Sequence, residues 1–151
     1  MANEEFRVLE LSLQGFNCSQ ILAIMALEAQ GKEDPLLVRA MSGLLGGFGC
    51  GKTCGTLTGG CCMLGLYAGR GDTEEQEGDD LPLMLAELVE WFEAEFGMRY
   101  GGIDCDDITE KDPGLRLSRC PQMVIDTFKK ITEILDSHDY SIDGLSRSRQ
   151  E

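Results

Sequence analysis

Apolar side chains recur every three to four residues along most of this chain, the period of a helix packed on one side. Phe6, Leu9 and Leu13, with Val8 beside them, mark a first amphipathic helix over residues 5–13 that ends at Gly15. Asn17 is a natural cap for a second, in which Ile21, Leu22, Met25 and Leu27 continue the spacing to Gly31. Asp34 followed by Pro35 opens a third, with Leu36, Leu37, Val38, Met41, Leu44 and Leu45 as its apolar positions before the paired glycines 46 and 47. After the glycine loop, Thr53 caps a fourth helix and places Cys54 in its first turn. Asp80 and Pro82 start a fifth, striped by Leu85, Leu88, Val89, Phe92 and Phe96, and Ser118 to Pro121 starts a sixth, carried by Val124, Ile125, Phe128, Ile131, Ile134 and Leu135. No stretch alternates with period two. The expectation is an all-α, single-domain bundle of about six helices over residues 1–138, followed by a polar tail over 139–151.

The fourth helix stands apart. Residues 46–69 read GGFGCGKTCGTLTGGCCMLGLYAG and hold four of the seven cysteines. So many glycines lower helix propensity by roughly 1 kcal/mol each relative to alanine, so burial must hold this segment, and it is expected at the centre of the bundle. Gly55, Gly59 and Gly60 allow a neighbouring helix to approach closely. The apolar part is too short for a membrane span of roughly 20 residues.

Charge narrows the partners. A formal net charge of −14 repels phosphate backbones and anionic membrane surfaces, which argues against nucleic acid or a membrane as partner. Six of the nine residues 72–80 are acidic, which reads as a solvated connector. The first residues carry acidic groups where a signal peptide would be basic, so a cytoplasmic location is expected. In a reducing compartment, seven cysteines point to redox chemistry or metal binding more than to structural disulfides.

Cys18, Cys54 and Cys120 each fall at the expected start of a helix, and Cys105 lies in a turn-rich segment that has room for one helical turn. Free N–H groups and the aligned peptide dipoles favour a thiolate there, which makes a better nucleophile and a better metal ligand. Lys52, between Cys50 and Cys54, adds a local positive charge. Lys52 also sits in Gly51-Lys52-Thr53, which with Gly46 has the spacing of a phosphate loop, but the segment before it reads as an α-helix and not as the strand that such a loop requires. Cys61 and Cys62 are expected to pack as small hydrophobes. His138, the single histidine, is expected to be a solvated surface residue rather than a base or ligand.

These residues resemble a family of small bacterial and archaeal redox-active proteins named for a C-GCAxxG-C-C pattern, whose core also appears as CGAxxG. Phe16-Asn17-Cys18-Ser19-Gln20 is similar to its first cysteine motif, and Cys54-Gly55-Thr56-Leu57-Thr58-Gly59 to CGAxxG with threonine in place of alanine. A second alignment sets the core pattern on Gly60-Cys61-Cys62-Met63-Leu64-Gly65. The resemblance implies that Cys105 and Cys120 are the third and fourth cysteines; Cys50, Cys61 and Cys62 are extra to the pattern.

Three readings follow. In the first, the protein is a thiol-based oxidoreductase centred on Cys54, with Cys18, Cys105 and Cys120 as partners, Cys50, Lys52 and Gly55 shaping the site, and no cofactor; its counterpart is a redox protein or a small thiol. In the second, Cys18, Cys54, Cys105 and Cys120 ligate zinc or an iron–sulfur cluster. In the third, the protein is a helical interaction module whose cysteines are incidental. Separately, the apolar glycine-rich helix and the small size of the domain make a homodimer an expectation. No Cys-x-x-Cys occurs to favour the first, and no pair of ligands shares one tight motif to favour the second.

Overall fold

The computed structural model describes residues 2–144, and among these every regular element is helical. The elements are α1 (Ala2–Leu13), α2 (Cys18–Ala29), α3 (Pro35–Ala40), α4 (Gly55–Ala68), α5 (Leu81–Phe92), α6 (Met98–Tyr100), α7 (Cys105–Thr109) and α8 (Pro113–Ser137). The expected all-α domain is what forms.

The glycine-rich α4 is central, packed against α2, α5 and α8. Its buried face includes Thr56, Leu57, Met63, Leu64 and Tyr67. The approach of α2 is as close as the glycines suggested: a Cβ on Gly59 would lie 2.8 Å from the Ser19 Cα, and one on Gly60 would lie 3.1 Å from both Ile131 and Leu88 side chains. The core around α4 is completed by Leu22, Met84, Leu88, Phe92, Phe96, Ile131 and Leu135, each essentially inaccessible.

Several expectations change. On α1 the residues that face inward are Val8 and Leu11, while Phe6, Leu9 and Leu13 are exposed, so the helix is turned away from the stripe read from its spacing. The third apolar run does not make one helix: α3 stops at Ala40 with no buried residue, a 3₁₀ turn follows over Met41–Leu44, and only Met41 enters the core. The fifth helix runs on past Phe96, the last residue of its stripe. It widens into a π turn over Glu93–Gly97, continues into α6, and stops at Gly101 in the left-handed region.

The largest difference is α8, which begins at Pro113 and not near Ser118. Asp112 caps it, accepting from the Gly114 N–H at 2.8 Å, and Pro113 takes the first helical position where its missing N–H costs nothing. Cys120 therefore lies in the helix interior beside Pro121, two turns past the N-terminus. The chain past His138 also departs from the expected tail. Tyr140 is buried and the Tyr67 hydroxyl donates to the Ile142 carbonyl at 2.6 Å, so residues 139–144 pack on the body; the rest of that segment, 145–151, lies outside the described residues.

Candidate functional site: a thiol cluster at the entry of the central helix

Four chain segments meet where α4 begins. Asn17 caps α2 with a capping box to Gln20, which makes Cys18 the first helical residue as its sequence predicts. Cys54 does not lie in the first turn of α4 but is its N-cap, since Gly55 is the first residue with helical backbone. An antiparallel bridge pairs Thr53 with Asp104: the Cys54 N–H donates to the Ile103 carbonyl at 2.9 Å, and the Cys105 N–H donates to the Lys52 carbonyl at 2.6 Å. Two backbone hydrogen bonds thus clamp the entries of α4 and α7 together, with Cys54 and Cys105 each one residue past the bridge. Cys120 reaches the same end from α8.

Cys18 is the hub. Its Sγ lies 3.2 Å from where a Cβ on Gly55 would stand, so Gly55 is what allows the thiol against the start of α4. A charge on Cys18 raises the pKa of both Cys54 and Cys120, and Cys105 does the same to Cys18 and Cys120. All seven cysteines are free thiols.

Enclosure, more than helix position, sets the ionisation of Cys18, Cys54 and Cys120. Burial first, then repulsion from Cys18, pushes Cys54 up to about 12 from an ordinary 9.0. Burial pushes Cys120 up to about 11, and raises Cys18 as well. At the helix starts of Cys18 and Cys54 the pKa is raised and not lowered as expected: desolvation of a buried anion outweighs the end of a helix. The opposing influences are local. The Thr56 hydroxyl favours ionisation of Cys18 and Cys54, the Ser19 and Thr56 N–H groups favour Cys18 and Cys54 respectively, and Arg116 favours Cys18 and Cys120. In the neutral state the Thr56 hydroxyl is fully buried and has no hydrogen-bond partner of normal geometry, and the Cys54 thiol makes no capping bond.

Sequence reading missed Arg116. Its Nη2 donates to the Cys105 Sγ at 3.4 Å, and no signal in the sequence marked it because it lies between the turn-rich stretch and the helix start expected at Ser118. The next arginine along the helix, Arg119, is fixed elsewhere: Nη1 donates to the Ile108 carbonyl at 2.6 Å and the guanidinium lies 4.6 Å over the Tyr100 ring. Thr56 was visible only as the threonine that replaces alanine in the motif.

A pocket of about 230 Å³ opens onto the cluster. Phe16, Leu45, Leu117 and Val124 form its apolar wall, and Cys18, Cys120 and Arg116 reach it; Cys54 and Cys105 do not line it.

The remaining candidates lie apart from the pocket. Cys50 is exposed on the loop after α3, where residues 46–49 all have positive φ, and its thiol points to the Gly47 carbonyl at 3.6 Å. The Lys52 side chain is exposed, and that residue's part in the site is its carbonyl. Cys61 is half-buried on α4, and burial, with the neighbouring Cys62, pushes it up to about 11. Cys62 is exposed, not packed as a small hydrophobe. His138 is not solvated: its ring nitrogens lie 2.9 Å from Asp80 Oδ2 and 3.2 Å from Glu87 Oε1, tying the end of α8 to α5.

Four gathered thiols are a chemically apt donor set for a soft metal. Among the described residues, however, no three Cys, His, Asp or Glu side chains are arranged to hold a metal ion as they stand. No helix among those residues is long and apolar enough to cross a membrane.

No curated protein and no solved structure matches the chain. A family model described as "Putative redox-active protein (C_GCAxxG_C_C)" matches residues 16–134, from the capped entry of α2 to near the end of α8, and spans all four gathered cysteines. The chain belongs to the C_GCAxxG_C_C family.

Proposed function

We propose that the protein is a thiol–disulfide oxidoreductase whose working pair is Cys18 and Cys120, with Cys54 and Cys105 as the thiols behind it. The observation that carries this reading is that Cys18 and Cys120, far apart in the chain, line one pocket. Cys120 is the less enclosed of the two, so it meets an incoming disulfide R–S–S–R first. Its thiol loses a proton and the sulfur attacks one substrate sulfur; the S–S bond breaks and the leaving RS⁻ takes up a proton, giving RSH and the mixed disulfide Cys120–S–S–R. Cys18 then loses its proton and attacks the Cys120 sulfur, and the second RS⁻ leaves as RSH. Two electrons pass from the dithiol to the substrate, and a dithiol on a partner protein or a small thiol reverses the step.

With Cys120 pushed up to about 11, only about one thiol in ten thousand is ionised at pH 7. The attack is therefore slow at neutrality and quickens by about tenfold per pH unit until the thiol titrates.

The test is limited oxidation of the folded protein with bis(2-hydroxyethyl) disulfide, followed by peptide mass mapping. A Cys18–Cys120 link should form in the wild type and be absent in Cys18→Ser and Cys120→Ser. Oxidation that yields only Cys61–Cys62, or mixed disulfides at Cys50 and Cys62, rules the pair out.

A further inference from the structure

The pocket carries a charge that its surroundings do not neutralise. Of the side chains lining it, Arg116 alone is charged. In a protein of net charge −14, this guanidinium forms no ion pair with any described residue; Asp106 and Asp112 line an adjoining opening with it but neither pairs with it. One of its N–H groups is given to Cys105 Sγ, and a planar fork of five donors leaves others for a ligand. The rest of the wall is mostly apolar, with Ser12 and Asn17 as its neutral polar side chains, and at about 230 Å³ the space falls below the usual range for drug-sized ligands, which limits the occupant to a small molecule or to one arm of a larger one.

Resting on the redox reading above, we propose that this pocket selects small anionic disulfides and thiols: a carboxylate or similar anion a few bonds from sulfur pairs with Arg116 while the sulfur meets Cys120. The preference runs against the field of the whole protein, which attracts cations. Local pairing and net charge therefore predict opposite orders of reactivity.

The experiment oxidises the reduced protein with three disulfides of similar size: 3,3′-dithiodipropionate, which is anionic, bis(2-hydroxyethyl) disulfide, which is neutral, and cystamine, which is cationic. Rates are compared in the wild type and in Arg116→Gln. Arg116 also assists ionisation of Cys18 and Cys120, but that influence is common to all three substrates and cancels in the ratio of anionic to cationic rates. The wild type should favour the anionic over the cationic disulfide by about tenfold, the worth of one charge-assisted hydrogen bond, and Arg116→Gln should abolish or reverse that order. Cystamine reacting fastest with the wild type, or a ratio that Arg116→Gln leaves unchanged, overturns the assignment while leaving the dithiol intact. Failure of all three to oxidise Cys18 and Cys120 removes the redox reading and this inference with it.

Discussion

Cys54 and Cys61 belong to the same glycine-rich stretch, yet the structure gives them different surroundings. At the entry of α4, Cys54 joins Cys18, Cys105 and Cys120, drawn from three other segments by two capped helices and a two-bond backbone clamp. In mid-helix, Cys61 and Cys62 are adjacent in sequence but point to a half-buried flank and to solvent, with no third thiol acting on either. Closeness along the chain did not make a site. Convergence of three helix entries on the interior of α8 did, because an N-terminus must bring its backbone N–H groups to a cap, and caps from different segments can share one location.

Alkylation reads this contrast with the largest expected effect. In native protein at pH 7.5, iodoacetamide should modify exposed Cys50 and Cys62 first, with Cys54 slower by on the order of a hundredfold, as measured by mass spectrometry. Equal rates would dissolve the distinction between the two groups. The same burial sets a pH dependence. The unfolded chain releases the Cys54 proton near 9.0 and the folded protein keeps it to about 12, so over that window the native state binds more protons and stability falls as pH rises. Below 9.0 the contribution is complete. Denaturant titrations from pH 8 to 11 should show this decline, flattened in Cys54→Ser.

Glycine substitutions separate what holds the cluster from what holds the rest of α4. Gly59→Ala drives a Cβ to 2.8 Å from the Ser19 Cα, a backbone atom that only a shift of α2 can relieve, with an expected loss of about 1–3 kcal/mol in chemical unfolding. Gly65→Ala meets nothing within 4 Å and should gain up to about 1 kcal/mol from helix propensity. Because α2 carries Cys18, Gly59→Ala should also lower the yield of the Cys18–Cys120 link while Cys62 alkylation is unaffected. Two glycines with the same response would mean that α2 is not held at this contact.

The smallest effect concerns Thr56. Thr56→Val removes a buried hydroxyl that lacks a partner in the neutral state, so stability should rise by about 1 kcal/mol. The Cys18 and Cys54 thiols should at the same time become harder to ionise, moving the alkylation profile to higher pH, and Thr56→Ser should restore it. A stability gain without that movement would make Thr56 a packing residue only.

Local signals in the sequence determined much of this molecule. Helical periodicity, the Asn17 cap and the glycines of α4 specified an all-α bundle and the close packing at its centre, since each depends on a few neighbouring residues. The family motif likewise singled out the four cysteines that the fold gathers. Asp112-Pro113 carried the same cap-and-proline signal as Asp34-Pro35, but the adjacent Gly114 reads as a turn, and only the packing of α8 against α7 and the core made it a helix start. The inward face of α1 was likewise settled by its contact with α8, because Val8 and Leu11 can form a stripe as readily as Phe6, Leu9 and Leu13. Tertiary structure alone decided the ionisation of the thiols and the place of Arg116. A helix start is a local property that favours an anion, but burial depends on every segment that closes over the sulfur, and here it is the larger effect.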